Sequence, residues 1–218
     1  VFGAENAQLE NLEISASADD SVLLDLHSVH MRVSGVTLRG SAARQAIGCL
    51  TDNDPPGQVL LDGCLFTQLG TALRIEGQIP LVRRCVFENV AAGAVSLSAS
   101  AFAKSLGETE DPGSGFNTFD ETVQNPAIVN ESGAPVPMEN NDWDTNDPAE
   151  IGSRMQGEVD YVPFLQKGTG ILASAIYCTV VDAGNKLALA NAEVTLAPPG
   201  LTAVAGQEAG VYAFPVLL

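Results

Sequence analysis

A repeat constrains this chain more than any other feature. Alternating apolar residues followed by a polar or glycine-containing turn recur about every 21 to 28 residues. The copies read Asn11-Leu12-Glu13-Ile14, Gly35-Val36-Thr37-Leu38, Gly63-Cys64-Leu65-Phe66 and Arg84-Cys85-Val86-Phe87, with a more distant one from Phe116 to Phe119. A second column runs in phase: Leu24-Asp25-Leu26, Ile47-Gly48-Cys49, Leu73-Arg74-Ile75, Val95-Ser96-Leu97 and Ala127-Ile128-Val129. Each segment has the two-residue period of a strand with one apolar face, and each is too short to bury that face alone. Two strands per repeat, always in the same order, imply a coil. Stacked coils would place Leu26, Cys49, Ile75 and Leu97 in one interior row about 4.8 Å apart.

Helical repeats need apolar residues at 3.6-residue spacing, and leucine-rich repeats need a fixed Leu and Asn consensus; neither runs through residues 9–100. A parallel β-helix is therefore expected over residues 1–167. Extra residues must enter the turns, as in Thr51-Asp52-Asn53-Asp54-Pro55-Pro56-Gly57, and the longest insertion, Ala99 to Gly115, should project from the coil. Cys64 and Cys85 fall at equivalent positions in neighbouring coils. Parallel Cβ vectors suit a disulfide poorly, so a buried thiol ladder is expected.

Composition narrows the function. With 27 acidic against 10 basic residues the formal charge is −17 and the pI about 4.2, so phosphate backbones are repelled and nucleic acid is excluded as a partner. No apolar run is long enough for a transmembrane segment, and Val1 follows neither an initiator Met nor a signal pattern, as in a processed chain or fragment. The four cysteines, Cys178 among them, lack metal-ligand spacing.

Beyond the coils the pattern changes. Asp147 is a suitable helix N-cap, Pro148 suits the first helical position, Glu150 is placed for a capping box, and Ile151 with Met155 would form one apolar face, predicting a capping helix near 147–156. After Gly168 three strand-like stretches follow, Ile176 to Asp182, Lys186 to Leu196 and Gly206 to Phe214.

The coil array, running into Asn140-Asn141-Asp142-Trp143, Asp147-Pro148-Ala149-Glu150-Ile151 and Val159-Asp160-Tyr161-Val162-Pro163-Phe164-Leu165, resembles the secreted right-handed parallel β-helix proteins of bacteria, the pectate-lyase-like superfamily. The likeness covers about three quarters of the chain. Residues 168–218 resemble the carboxypeptidase-regulatory-like β-sandwich, with its Val-x-Asp turn (Val180-Val181-Asp182), Ala-x-Val-x-Leu strand (Ala192 to Leu196) and Gly-x-Tyr-x-Phe strand (Gly210 to Phe214). Together these imply an all-β protein: a right-handed parallel β-helix followed by a partial Ig-like or prealbumin-like sandwich, extracellular or at a cell surface.

Enzymes of the β-helix superfamily place carboxylates and basic groups on the outward face of one strand column. Here that column reads Asp25, Gly48, Arg74 and Ser96. Asp25 and Arg74, about 10 Å apart, could flank a sugar, with Asp52, Asp54 and Glu76 adding carboxylates from adjoining turns. Asp52 and Asp54 also suit a Pro-Gly turn for backbone reasons alone. Asp142, Asp144 and Asn146 offer oxygens at alternating positions, as at the start of a Ca²⁺ loop, without its central Gly and distal Glu; Glu108, Glu110 and Asp111 are a second candidate group for Ca²⁺. His27 and His30 are read as turn residues with no third metal ligand in range.

Three functions remain in view. The first is a non-enzymatic structural or adhesive protein, needing no cofactor, that contacts polysaccharide along the β-helix face. The second is a polysaccharide lyase or glycoside hydrolase around Asp25 and Arg74, with Ca²⁺ in the lyase case. The third is a subunit of an extracellular assembly, joined to another chain through open ends at Val1 and at the incomplete sandwich.

Overall fold

The computed structural model describes residues 7–16, 21–27, 30–52, 59–101, 106–107, 114–168, 172–182, 184–185, 195–196, 201–202, 204–205 and 211–217, with side chains of 172–179 and of the strands after 185 left undescribed. Over residues 7–160 the chain is a parallel β-solenoid of about six turns. Its strands are β1 Ala7–Glu10, β2 Glu13–Ser15 and β3 Val22–His27 in the first coil, then β4 Met31–Ser34, β5 Thr37–Arg39 and β6 Ile47–Asp52 in the second. The third holds β7 Val59–Asp62, β8 Leu65–Thr67 and β9 Thr71–Ile75, and the fourth β10 Leu81–Arg83, β11 Val86–Glu88 and β12 Val95–Leu97. Next come β13 Thr118–Phe119, β14 Ile128–Asn130, β15 Val136–Pro137, the helix α1 Pro148–Ser153, β16 Met155–Gln156, β17 Val159–Asp160 and β18 Phe164–Leu165.

Each of the first four coils contributes one strand to each of three parallel sheets, the fifth adds a strand to the second and third, and the sixth a strand to the third. The first runs β1-β4-β7-β10, the second β2-β5-β8-β11-β13, and the third β3-β6-β9-β12-β14-β16. The recurring tetrapeptide is the step from the first sheet into the second. Its opening residue is left-handed in every copy: Asn11, Gly35, Gly63, Arg84 and Phe116 have φ of 53°, 60°, 62°, 54° and 59°. Gly35 meets a steric as well as a conformational demand, since a Cβ there would lie 2.6 Å from Asn11 Oδ1.

The same step occurs a sixth time at Asn140-Asn141-Asp142-Trp143, with Asn140 at φ 58°. Its fourth residue completes one interior row. Ile14, Leu38, Phe66, Phe87 and Phe119 stack in register, and Trp143 lies on Phe119 with ring centroids 4.3 Å apart. The second motif position forms a parallel row through Val36, Cys64, Cys85, Asn117 and Asn141, all buried. There Asn117 Nδ2 donates to Asn141 Oδ1 at 2.9 Å, and Asn117 Oδ1 accepts the Cys85 N–H at 3.0 Å. Asparagines so satisfied continue an interior row that thiols and valine begin.

The third sheet departs from the expected register. Leu26, Cys49, Ile75 and Leu97 are all buried but occupy two adjacent rows, not one. Leu24, Cys49, Leu73, Val95 and Ile128 form the first; Leu26, Thr51, Ile75, Leu97 and Asn130 form the second. The reason is Gly48. It is buried beside Cys49, and a Cβ on it would lie 2.6 Å from the Ala72 carbonyl and 2.8 Å from Leu69 Cδ1. Ala72, Ala94 and Ala127, each just before a core residue, are likewise buried. Gly48 thus belongs to a tight corner of small residues, and the alternation of β6 starts after it.

Cys49, Cys64 and Cys85 are free and buried, and burial pushes the Cys49 and Cys85 thiols up. A thiol-specific reagent should leave all three unlabelled in the native protein and modify them in guanidinium, read by peptide mass mapping; prompt native labelling would contradict their place in the core.

The insertion after Ala99 does not simply project. Leu106 is buried and its N–H donates to Pro137 O at 3.1 Å, while Glu139 N–H donates to Gly107 O at 3.0 Å. Leu106 and Gly107, midway along the insertion, thus lie against the coil. At the far end, Asp147 caps α1 by accepting from Ala149 N–H at 2.9 Å. Glu150 forms no capping box. It accepts from the Thr145 hydroxyl at 2.6 Å, whose oxygen takes the Asp147 N–H at 3.3 Å. Ile151 is buried, but Met155 has left the helix for β16, where it stacks on Ile128.

In the C-terminal region β19 Leu172–Thr179 pairs antiparallel with β18 and with β23 Val211–Leu217, and β22 Val204–Ala205 joins β23. β20 Thr195–Leu196 and β21 Leu201–Thr202 form a separate antiparallel pair. The stretch from Lys186 to Val194 and the Cys178 side chain lie outside the described residues. Asp182 makes the expected turn, its Oδ1 accepting from Gly184 and Asn185 N–H at 2.9 Å each.

Candidate functional site

Strand alternation on the third sheet turns one face to solvent. Its outward row reads Asp25, Leu50, Arg74, Ser96, Val129 and Gln156. The expected Gly48 is replaced there by Leu50, two residues on, for the corner reason given above. Asp25 and Arg74 lie two strands apart with Leu50 between them, as the spacing predicts.

A second outward row begins with His27 opposite Asp52. Neither is a turn residue, in contrast to the sequence reading: His27 ends β3 and Asp52 ends β6. The Pro-Gly signal that follows Asp52 marks a turn but does not say where the strand before it stops. Glu76 comes next, its N–H donating to Thr51 O at 2.8 Å. Register therefore gathers Asp25, His27, Asp52, Arg74 and Glu76 on one flank, while Asp54 lies outside the described residues.

The ionisable side chains of this flank contact one another. His27 Nε2 lies 2.6 Å from Asp25 Oδ1 and Nδ1 lies 3.4 Å from Asp52 Oδ2; Arg74 Nη2 lies 2.7 Å from Glu76 Oε1. Asp25, His27 and Asp52 are each about half exposed, at 51%, 48% and 49% of the side chain. Water therefore reaches every group, and the pairs are held loosely.

The first sheet carries a different electrostatic feature, which the sequence reading missed. Asp62, at the end of β7, is 3% exposed and receives three arginines. Arg84 grips it with Nε at 2.8 Å and Nη2 at 2.6 Å, Arg83 Nη2 lies at 2.9 Å, and Arg32 Nη2 at 3.6 Å. Burial raises the Asp62 carboxyl, but the guanidiniums of Arg84 and Arg83 outweigh it and hold it below the usual carboxylate range. The adjacent Arg83-Arg84 pair, one coil on from Asp62, was the only available signal. Beside this cluster a groove of about 380 Å³ is lined by residues including Arg32, His30, Gln8, Leu60 and Leu81.

The oxygen-rich run at the far end is engaged by the protein itself. Asp142 Oδ1 accepts the Asp144 N–H at 2.9 Å, Asp144 pairs with Lys167 Nζ at 2.8 Å, and Asn146 Oδ1 accepts the Lys167 N–H at 2.8 Å. Among the described residues no three His, Cys, Asp or Glu side chains converge so as to hold a metal ion. Glu108, Glu110 and Asp111 lie outside those residues. No described helix is long and apolar enough to cross a membrane. Compared with known proteins, the chain matches no family model, no curated protein and no solved structure.

Proposed function

We propose that this chain is an extracellular or cell-surface structural protein whose solenoid flank contacts carbohydrate without cleaving it, with no cofactor required. One observation carries the reading: each carboxylate on the outward face of the third sheet is open to water and already in contact with a basic side chain, Asp25 and Asp52 with His27 and Glu76 with Arg74. A general acid needs a carboxyl kept protonated by apolar burial or by a second carboxylate crowding it. Asp25 and Asp52 instead share an imidazole, and Glu76 a guanidinium. A ladder of paired donors and acceptors repeating at strand spacing suits the hydroxyls of a glycan laid across the coils.

The finer fold reading belongs here too. A right-handed winding of the pectate-lyase-like kind is supported by the general right-handedness of connections between parallel strands and by the Asn-Asn-x-Trp ending. A carboxypeptidase-regulatory-like sandwich after residue 168 is supported by the antiparallel β19-β23 pairing and the Asp182 turn.

A second reading, a glycoside hydrolase or polysaccharide lyase, is favoured by the convergence of Asp25 and Asp52 on His27 with Arg74 one strand beyond Asp52. Both are tested by incubating the protein with a panel of polysaccharides, with and without Ca²⁺, following retention by affinity electrophoresis and products by reducing-end and unsaturated-product assays. Retention without products is expected, weakened by the double substitution Asp25→Ala and Arg74→Ala. Turnover lost in Asp25→Ala would replace the first reading with the second.

A further inference from the structure

The first sheet carries a surplus of positive charge in a chain that has little of it. Of the ten basic residues, three converge on Asp62: Arg32 from β4, Arg83 from the end of β10 and Arg84 from the step after it. That carboxylate cannot serve all three. Asp62 Oδ1 takes Nε and Nη2 of Arg84, and Oδ2 takes Nη2 of Arg83 and of Arg84, none farther than 2.9 Å. Arg32 is left outside, with its Nη2 3.6 Å from Oδ2 and beyond hydrogen-bond reach. Among the described residues its guanidinium has no hydrogen-bond partner, and its side chain is 46% exposed, so its donors are open to a ligand.

Arg32 borders the groove of about 380 Å³ described above. Register builds its floor: Gln8, Arg32, Leu60 and Leu81 stand side by side on β1, β4, β7 and β10. This outward row passes from an exposed amide and guanidinium to two half-buried leucines, over about 10 Å from Arg32 to Leu81. Ala7 and Met31 extend the apolar wall, and His30 brings an exposed imidazole two residues before Arg32. Among the described residues no carboxylate lines the groove, although the chain has 27 acidic residues. Glu10, two residues beyond Gln8, is turned to Ser34, whose hydroxyl donates to it at 3.4 Å.

A free guanidinium at one end and an aliphatic shelf at the other call for an anion with an apolar body. A polyanion would also meet the −17 of the whole chain, whereas a single charge is governed by its neighbours within a Debye length of about 8 Å. Here those neighbours are three guanidiniums gathered on one carboxylate. We propose that this groove binds a monocarboxylate with an apolar body, a medium-chain or arylalkyl acid, its carboxylate on Arg32 and its hydrocarbon along Leu60 and Leu81. The site is separate from the outward flank of the third sheet and independent of glycan binding there.

The full chain is titrated with octanoate and with phenylbutyrate, followed by calorimetry and ligand-detected NMR, with octanamide, acetate and sodium sulfate in parallel. Saturable binding of at least one of the two acids is expected. Octanamide lacks the charge and acetate and sulfate lack the body, so each should bind about ten-fold more weakly or worse. Arg32→Gln should cost about ten-fold in affinity and Leu81→Ala about five-fold, with the melting temperature of Arg32→Gln unchanged because its one contact is long. The double substitution Asp25→Ala and Arg74→Ala should leave binding intact, whether or not the flank retains polysaccharide. No saturable binding of either acid, octanamide or sulfate bound as well as octanoate, or binding untouched by Arg32→Gln would overturn the proposal. So would self-association, read by light scattering, that Arg32→Gln abolishes, since the groove would then hold an acidic face of a second copy.

Discussion

Replacing Phe87 with alanine is expected to remove about 3–5 kcal/mol of folding stability. Phe87 is in the middle of the interior ring stack, with Phe66 at 4.9 Å and 12° on one side and Phe119 at 4.8 Å and 4° on the other. It is fully buried, so truncation loses transfer free energy and leaves a hole that rings stacked in register cannot collapse to fill. In a solenoid each coil is stabilised mainly by its two neighbours, and Phe87 serves both interfaces at once. Urea unfolding should show the midpoint falling with little change in slope, and heating a drop in melting temperature on the order of 10 °C. The outward Ser96→Ala should stay within about 0.5 kcal/mol of the parent. Comparable effects from the two variants would remove the ring stack from the centre of the fold.

The second large effect belongs to Asp62. Asp62→Asn keeps the shape but leaves Arg32, Arg83 and Arg84 facing one another without a counter-charge. Breaking a buried pair from one side typically costs about 3–5 kcal/mol, and the exposed Arg84 places this case toward the lower figure. Protonation mimics the substitution. The Asp62 carboxyl holds its proton less tightly folded than unfolded, so its contribution is complete above the unfolded carboxylate pKa of about 3.9 and disappears as pH falls through the lower folded value. Parent and variant should therefore differ most near neutrality and converge as the pH falls below about 4. Equal stability at pH 7, or a gap that does not narrow between pH 7 and pH 2, would show that the arginines do not depend on this carboxylate.

The outward flank illustrates how far local pattern reading reaches. Asp25 and Arg74 could be placed on one face because strand alternation is strict and both are flanked by large apolar residues. Asp52 and His27 could not. Each sits at a strand end next to turn-forming sequence, and only the pairing of β3 with β6 keeps them extended and opposite one another. The row occupied by Cys49 was misjudged for a related reason: a glycine shows no side-chain preference, so the residue that turns the corner at Gly48 is silent in a hydrophobic pattern. The sixth copy of the step, at Asn140 to Trp143, was hidden by its polar residues. Asparagine reads as a turn former until Asn117 and Cys85 are seen beneath Asn141, supplying the partners that make an amide row tolerable in a core.

The linear order of residues settled the repeat, the period-2 strands and the need for successive coils to cover one another, because an apolar face a few residues long has no other way to leave water. It also settled the acidic surface and the small helix at the end, whose cap is local chemistry. Tertiary structure alone decided which charges meet. Asp62 with three arginines, and Asp25 and Asp52 on His27, join residues from different coils, and their meeting depends on a register that shifts with every turn length. Alternation says which way a side chain points, whereas its neighbour one coil above is chosen by the packing of the whole stack.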